Sequence, residues 1–327
     1  MSTRLLSYFR VAVFVFAFTL PFFASDFVVL QIGVQSLYLA ILAMSLAFIA
    51  GYGGMVSLVQ ISFYGVGGYA IAHITVMRGD PLWLAIIVAL VAPAIIGAMY
   101  GLIAVRTEGI YFLMITLALS MLTFNFVMQN RSITKGFSGI NGVRRPVFGP
   151  VNLENPDHFY YLALVIALLV FFGLRYLVNT PFGLALRAVR DNSRRMTMLG
   201  FNVVGHRVAA FTLSAFIAGI AGILGVWYNG QMSPGAIDLT RNINVLLIAV
   251  MGGLLYFEGS FAGAVFFVLV TTFASNFTDR YKTLIGVAFL LVALFLPIGF
   301  MGLFYRLVDL VGEKYDHDTG AGGAALG

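Results

Sequence analysis

Long stretches without a charged residue constrain the fold of this chain more than any other feature of its sequence. Nine stretches contain no Asp, Glu, Lys or Arg: 11–25, 27–77, 81–105, 109–130, 158–174, 208–237, 242–257, 259–278 and 283–305. A helix needs about 20 mainly apolar residues to cross a bilayer, so eight stretches suit one span each and 27–77 suits two. The sequence therefore predicts an all-α polytopic membrane protein with about ten transmembrane helices, some of them open to interruption.

Composition excludes the main soluble classes. Hydrophobic residues make up 61% of the 327 residues and charged residues only 10%, whereas an ordinary soluble domain has roughly 25% charged residues. This balance excludes a soluble enzyme and a nucleic-acid-binding module. The absence of cysteine excludes a disulfide-stapled secreted protein, and an outer-membrane barrel would show short period-two alternation. We expect one transmembrane domain over 1–312 and a disordered cytoplasmic tail over 313–327.

Lys and Arg residues report the orientation of a membrane protein because they are retained on the cytoplasmic side. With the N-terminus in the cytoplasm and ten alternating spans, eleven of the 19 lie inside and eight outside. This prediction places both termini and the loop 179–206 in the cytoplasm, and the loop 131–157 on the outer, periplasmic side. A signal peptide over 11–24 is the alternative for the first span, although bulky Phe22 stands where cleavage favours a small residue.

The loop 179–206 carries the densest group of charges. Four arginines lie at positions 187, 190, 194 and 195, and burying them together in a bilayer would cost on the order of 10 kcal/mol. Pro181 and Gly200 are typical start and stop residues, so we predict a helix over 181–199 that need not be unbroken. The first three arginines share one face of such a helix. The residues alone leave two interpretations open: a helix resting on anionic lipid, or one that docks into a groove of a cytoplasmic partner.

Several blocks of the sequence resemble one family of membrane proteins, in order and spacing. They are GYGGMVSL at 51–58, FYGVGGYA at 63–70, GIYFLMITLA at 109–118, GFSGING at 136–142, TPFGLALRAVRDN at 180–192, LGFNV at 199–203 and the later glycines 252, 253, 259 and 263. This pattern is similar to the permeases of branched-chain amino-acid ABC transporters, in the LivM-like branch of the LivH/LivM family. The blocks cover about residues 50–270 of the chain.

The resemblance implies an ATP-driven importer of branched-chain amino acids or related small polar or amphipathic solutes in the bacterial inner membrane, with this chain as a non-enzymatic permease subunit. The implied partners are a homologous LivH-like permease, two cytoplasmic ATPase subunits and a periplasmic substrate-binding protein. The loop would carry the coupling helix that sits in a cleft of an ATPase subunit. Family positions are matched by Gly183, Arg187, Ala188, Arg190, Asp191, Asn192 and Gly200, whereas Ser193, Arg195 and Met196 depart from the pattern.

No Gly-Lys dipeptide occurs, so the chain has no phosphate-binding loop of its own and ATP would be bound by the partner subunits. We expect no cofactor and no metal site in this chain. An importer of urea, amides or aromatic acids built on the same permease type remains an alternative. A secondary transporter or channel is the alternative from another class, but it would be expected to carry coupling charges within its spans, whereas nearly all charges here lie at helix ends.

Glycine-rich segments and a few polar residues are the candidates for a transport path. The clusters 51–54 and 65–68 lie where two spans must turn or break, and broken backbone at membrane depth survives only where protein buries it or it lines a cavity. Nearby polar residues are candidates to line the path, although an interhelical hydrogen bond is an equal interpretation for each. These candidates are Ser57, Gln60, Ser62, Thr116, Ser120 and Asn125.

Further glycines and two isolated polar residues have structural interpretations. The pairs Gly53-Gly54 and Gly252-Gly253 hint at an internal repeat with interrupted helices. The remaining spaced glycines predict close helix packing. Glu258 is expected in a cytoplasmic turn, with an intramembrane acid as the alternative. His73 is expected to hydrogen-bond a neighbouring helix.

Overall fold

The computed structural model describes residues 17–21, 23–148, 151–277 and 299–306, together with positions 283, 286, 287 and 290. The predicted spans over 11–25 and 283–305 lie only partly within these residues, and the predicted tail over 313–327 lies outside them. The described chain is mostly helical. Its strands are four two-residue segments: β1 Ile140–Asn141, β2 Val147–Phe148, β3 Val151–Asn152 and β4 Gln231–Met232.

Among the described residues, six helices are long and apolar enough to cross a membrane: α1 Val28–Tyr52, α3 Leu82–Ala104, α4 Ile110–Gln129, α6 Pro156–Leu177, α9 Val203–Asn229 and α11 Phe257–Phe277, whose apolar window is Phe257–Ala274. Two shorter apolar helices are α2 Gln60–Ala72, which continues as a π-helix over His73–Arg78, and α10 Leu239–Gly252. Three short helices lie in the loops: α5 Arg131–Thr134, α7 Pro181–Asp191 and α8 Ser193–Met198. The polytopic helical class is confirmed, and the count of about ten spans stays a prediction.

The uncharged stretch 27–77 holds two helices, as its length predicts. Helix α1 ends at Tyr52, residues 53–59 are irregular, and α2 begins at Gln60. Gly54 has a φ of +69°, a conformation that L side chains rarely adopt. The side chain of Arg190 also packs so closely on Gly54 that a Cβ there would overlap it. The glycine cluster 51–54 therefore marks a true interruption at one end of α1.

Small residues allow the central helices to cross at short distance. A Cβ on Gly222 of α9 would overlap the carbonyl oxygen of Tyr64 in α2, and one on Gly67 would meet the backbone of Gly219. Gly97 in α3 leaves room for Ala215 in the same way. Lipid offers no hydrophobic drive for helices to associate, so such close backbone approach supplies the packing energy. The structural interpretation is confirmed for Gly97, Gly219 and Gly222. The prediction of a break at the cluster 65–68 is wrong, because these glycines lie within α2, where they allow α9 to pack closely.

The helices pack in a reciprocal pattern. Helix α1 is followed by an irregular segment, the short α2 and the long α3, and both of these later helices pack on α9. Helix α9 is followed by a non-α-helical segment over 230–238, which holds β4, and then by the short α10 and the long α11. These two helices pack on α1. The internal repeat predicted from the glycine pairs is therefore visible in the packing. Its two halves do not align at those pairs. Gly252 ends α10 and crosses Gly259 of α11, whereas the counterpart of the break at Gly53 is the segment 230–238.

Contacts group the loops at two opposite ends of the bundle. At one end, the Arg175 guanidinium pairs with Glu258 at 3.0 Å and Arg207 pairs with Glu108 at 2.8 Å. Glu258 thus lies in the first turn of α11 beside the end of α6, and it is not a lone acid within a span. At the other end, β1 pairs with β4, and the His73 ring hydrogen-bonds the carbonyl oxygen of Ile133 in α5 at 2.9 Å, as expected.

Candidate functional site: the arginine-rich loop and the polar core

The loop between α6 and α9 folds into two short helices instead of one. Pro181 is the first residue of α7, as its fixed φ favours, and Gly200 follows α8 with a φ of +84°. Between them Asn192 is extended, and its side-chain oxygen accepts a hydrogen bond from the backbone N–H of Arg195 at 2.8 Å. Asn192 therefore ends α7 and caps α8, which explains the break within the helix predicted over 181–199.

Helix α7 is packed tightly on the membrane-spanning helices. Gly183 lies against the end of α6, where a Cβ would overlap the backbone of Leu177 and Val178. The side chains of Leu186 and Val189 are completely buried. Ala188 is only partly exposed. The loop helix is therefore a fixed part of the helical body at this end.

The first two arginines of the loop turn inward. One Arg187 guanidinium nitrogen donates to the carbonyl oxygen of Val178 at 3.1 Å, and the group lies 4.8 Å from the ring centre of Tyr52. Arg190 donates to the carbonyl oxygen of Gly51 and pairs with Asp191 at 2.9 Å. Arg194 follows the break at Asn192 and is exposed on α8. The predicted common face of three arginines is therefore wrong, because the helix that would align them ends before the third.

A second ion pair ties the loop to the start of α4. Glu108 accepts from Arg207 at 2.8 Å and from the hydroxyl of Ser193 at 3.2 Å. The hydrogen bond from Arg207, and next its positive charge, hold the pKa of Glu108 below the usual value of 4.5. The pair joins α8 and α9 to the α3–α4 turn. Sequence reasoning missed it, since the two residues lie 99 positions apart and neither belongs to a recognisable motif.

The outward side of the loop carries exposed apolar side chains. Leu184 of α7, Met198 of α8 and the following Leu199 are each more than half exposed. We name these three residues the loop apolar patch. Exposed apolar groups on a polar loop suit contact with a protein partner or with the membrane surface.

Five of the six polar residues predicted to line a path are buried together where α1, α2, α4, α9 and α10 meet: Ser57, Gln60, Ser62, Thr116 and Ser120. The Gln60 amide donates to the Ser214 hydroxyl at 3.0 Å and accepts from the Ser45 hydroxyl at 3.3 Å. Ser62 donates to Ser120 at 3.1 Å. We name these five buried residues, together with their hydrogen-bond partners Ser45, Ser214 and Asn242, the polar core.

The polar core supplies hydrogen-bond partners for backbone N–H groups at the start of α2, directly after the interruption. The backbone N–H of Leu58 donates to the Thr116 hydroxyl at 3.2 Å, and that of Ile61 donates to the Asn242 side-chain oxygen at 3.2 Å. The Asn242 amide in turn donates to Ser120 at 2.6 Å. Broken backbone away from water needs such partners. Asn242, Ser45 and Ser214 were missed, because a single polar residue in an apolar run gives no signal of its position in space.

Asn125 lies apart from the polar core. It is exposed on α4, where Met114, Ala118 and Met121 precede it at spacings of four, three and four residues on the same exposed side. Lipid cannot satisfy a side-chain amide within a span, so this side suits a protein partner or a water-filled path.

No group of metal-binding side chains occurs among the described residues.

Comparison with known proteins gives one family. The family model for the permease component of the branched-chain amino acid transport system matches residues 28–295. No solved structure matches the chain.

Two permease proteins named LivM are each 26% identical to this chain, those of Salmonella typhimurium and Methanocaldococcus jannaschii, the latter described as probable. The alignments cover 90% and 80% of this chain and 74% and 81% of the relatives, respectively. The permease LivH of Escherichia coli K12 is 23% identical over 80% of this chain and 91% of its own length. The chain is thus similar to both kinds of permease.

Proposed function

We propose that this chain, which belongs to the family of branched-chain amino acid transport system permease components, is the LivM-like membrane subunit of an ATP-driven importer of branched-chain amino acids. The family and the six apolar helices make it an integral membrane protein. The observation that carries the finer proposal is the loop 179–206, which is fixed to the helices through its buried side and presents the loop apolar patch on its outer side.

The two sides of the loop suit energy coupling. A cytoplasmic ATPase subunit would contact the loop apolar patch, while Arg190 is attached to the end of α1 at Gly51. Directly after Gly51 come the interruption over 53–59 and the start of α2, which the polar core holds. A displacement of the loop therefore reaches backbone next to the centre of the bundle. ATP binding and hydrolysis belong to the partner subunits, and this chain supplies no cofactor or catalytic group.

A second permease would complete the path. The relatives named LivM and LivH are permease proteins of branched-chain amino acid transport systems, which supports a pair of related subunits. The exposed side of α4 that carries Asn125 is the candidate for the shared surface and path. A substrate-binding protein would contact the outer end near 131–157. In this arrangement the protein lies in the inner membrane with both termini in the cytoplasm.

Reconstitution tests the transport function. The chain, its companion permease, two ATPase subunits and the binding protein are placed in proteoliposomes, and uptake of radiolabelled leucine is measured with and without ATP. ATP-dependent leucine uptake supports the proposal. Uptake of urea, amides or aromatic acids in its place would support an importer of another substrate, and uptake that needs no ATPase subunit would indicate a secondary transporter or channel.

Charge placed in the loop apolar patch tests the docking surface. We expect Leu199→Glu to abolish co-purification of the ATPase subunits while the two permeases remain paired, because a carboxylate cannot enter an apolar contact. Ser132→Glu adds the same charge on an exposed position of the outer loop and should leave the complex intact. Retention of the ATPase subunits by Leu199→Glu would show that the loop does not dock there.

A further inference from the structure

Arg241 lies in the first turn of α10 and is exposed. Ten alternating spans would place it outside the membrane, just before the uncharged stretch 242–257. The structure places it elsewhere, because α10 does not begin at the outer end of the bundle. The chain first runs along α2 through the segment 230–238, and α10 begins only at Leu239.

Successive contacts on α2 show how deep α10 begins. Each contact lies nearer the start of α2 than the one before it: Met232 on Gly68, Ile237 on Gly65 and Asn242 on Ile61. Asn242 also donates to Ser120, which lies in the middle of α4, at 2.6 Å. Because Arg241 directly precedes Asn242, its backbone lies at the level of the polar core.

This level is close to the middle of a bilayer. Ile61, which contacts Asn242, is twelve residues from His73 at the outer end, and twelve helical residues measure about 18 Å. Towards the loop end, the ten residues from Asn242 to Gly252 measure about 15 Å. The apolar core of a bilayer is about 30 Å thick, so Arg241 begins near its centre.

No carboxylate among the described residues neutralises the guanidinium of Arg241. Asp238 accepts from the backbone N–H of Arg241 at 2.9 Å, but it forms no ion pair with the guanidinium. The charge of Arg241 acts on the phenols of Tyr38 and Tyr64, which are uncharged groups. Charged residues at this depth are costly in lipid and face the bundle interior or a water-filled cavity. The exposed Arg241 therefore indicates water or a partner at mid-membrane.

The surroundings of Arg241 suit one end and the body of a branched-chain amino acid. A guanidinium presents a planar fork of N–H donors that matches a carboxylate. Leu239 and Ile243, on either side of Arg241 in sequence, are 41% and 44% exposed and offer apolar contact to a hydrocarbon side chain. A carboxylate that crosses the membrane loses most water at mid-depth, where a positive charge stabilises it most.

We propose that Arg241 lies on the transport path and binds the carboxylate of the transported amino acid at mid-membrane. The inference rests on the proposed function for the substrate and for the existence of the path. An acidic side chain of the companion permease is the other group that could neutralise this guanidinium, and the experiment below distinguishes the two.

Two thiol reagents test carboxylate binding without transport, because iodoacetate carries a carboxylate where iodoacetamide carries a neutral amide. The chain has no cysteine, so Thr240→Cys places one exposed thiol beside Arg241. In the assembled transporter in nanodiscs, mass spectrometry of this chain measures both rates. We expect the ratio of iodoacetate to iodoacetamide rates to exceed that of N-acetylcysteine by about tenfold or more. Arg241→Gln should abolish this preference, and Arg241→Lys, which keeps the charge, should retain most of it.

Ser132→Cys is the matched control, because Ser132 is exposed beside the exposed Arg131 in α5 at the outer end. Water and salt screen that charge, so its preference should stay below about threefold and change little in Arg131→Gln. A free carboxylate should also compete at Arg241. We expect 4-methylpentanoate to abolish the preference at Thr240→Cys, and its neutral counterpart 4-methylpentanamide to leave it unchanged.

Each result decides the inference. A thiol that iodoacetamide cannot reach would place this turn in lipid or in a dry contact, and would overturn it. Reaction with both reagents without a preference would mean that an acid of the companion permease neutralises Arg241, and would also overturn it. If Arg241→Gln fails to assemble, the preference of Thr240→Cys and its loss in 4-methylpentanoate still give the answer. Leucine uptake without the preference refutes this inference alone, and the preference without uptake refutes the proposed function alone.

Discussion

The guanidinium of Arg190 donates a hydrogen bond to the carbonyl oxygen of Gly51, 139 positions earlier in the chain. This carbonyl belongs to the last turn of α1, whose backbone is interrupted immediately afterwards. The carbons of the same side chain pack on Gly54 within the interruption. The loop that we propose as the ATPase contact is thus attached to the interrupted backbone between α1 and α2.

Loss of this attachment should separate ATP hydrolysis from transport. We expect Arg190→Ala to lower ATP-driven leucine uptake by about 5- to 150-fold, the range of a coupling free energy of about 1–3 kcal/mol. ATP hydrolysis by the assembled complex should persist, because the outer side of the loop is unchanged. Uptake and hydrolysis are measured on the same proteoliposomes.

Arg78→Ala is the matched control for the loss of one arginine. Arg78 is exposed at the opposite end and pairs with Asp80 at 3.0 Å, and exposed pairs contribute about 0–1 kcal/mol. This variant should transport normally. Equal losses of uptake and hydrolysis in Arg190→Ala would indicate failed assembly instead of lost coupling.

Local signals in the loop predicted its ends but not its interior. Pro181 and Gly200 act through their own backbone preferences, so the start and end of the helical segment could be recognised from sequence. The break at Asn192 depends on a side-chain cap that competes with continued helix, and sequence does not decide between them. The inward direction of Arg187 depends on Tyr52, which is remote in sequence and becomes a neighbour only in the fold.

The Glu108–Arg207 pair should stabilise the protein in a pH-dependent way. The lowered pKa of Glu108 means that its contribution is complete above the ordinary carboxylate range and is lost as pH falls through the lowered value. Glu108 is 63% exposed, so the contribution at pH 7 is about 0–1 kcal/mol. We expect Glu108→Gln to lower the Tm at pH 7 slightly, and the difference to vanish in acid. Scanning fluorimetry of the purified complex at several pH values measures it.

A double-mutant cycle isolates the interaction in that pair. Arg207→Gln removes a largely buried charge, since the Arg207 side chain is 11% exposed. In the double variant, the second substitution should cost less than it does alone, because the pair is already broken. Additive losses in Tm would mean that the two groups do not interact in solution.

Alanine substitutions should distinguish glycines at tight helix contacts from glycines with open space beside them. Gly222→Ala places a methyl group against the Tyr64 carbonyl, and forced overpacking costs about 1–3 kcal/mol. Gly173 in α6 has no heavy atom within 4 Å of the added Cβ. Gly173→Ala should therefore be neutral or slightly stabilising, since alanine favours helix by about 1 kcal/mol. Yield and Tm of the monodisperse protein measure both, and a tolerated Gly222→Ala would contradict the close crossing of α2 and α9.

The polar core was only partly predictable for a related reason. Polar residues within apolar runs could be singled out from the sequence, and five of six do gather in one buried group. Which helix faces which is decided by glycine contacts such as Gly67 on Gly219, and these do not follow from a single sequence. The sequence therefore singled out Asn125, which is exposed on α4, and missed Asn242, which is buried against the start of α2.

The same substitution at these two asparagines should produce opposite results. Asn242→Leu leaves the backbone N–H of Ile61 without its partner, and an unsatisfied buried group costs about 1–3 kcal/mol. We expect a lower Tm and poor yield for this variant. Asn125→Leu removes an exposed amide, so the Tm should not change.

Leucine uptake, unlike the Tm, should respond to the substitution at Asn125, and this measurement decides the role of Asn125. If the exposed side of α4 lines the path or meets the companion permease, Asn125→Leu replaces a group that can hydrogen-bond with one that cannot, and leucine uptake should fall by about tenfold or more at unchanged Tm. Leu122 lies one turn away on α4 and is also exposed, so Leu122→Ala is the control for a change on a neighbouring part of that helix. Normal uptake by Asn125→Leu would assign this surface to lipid, because only a surface without a polar partner tolerates the loss of the amide.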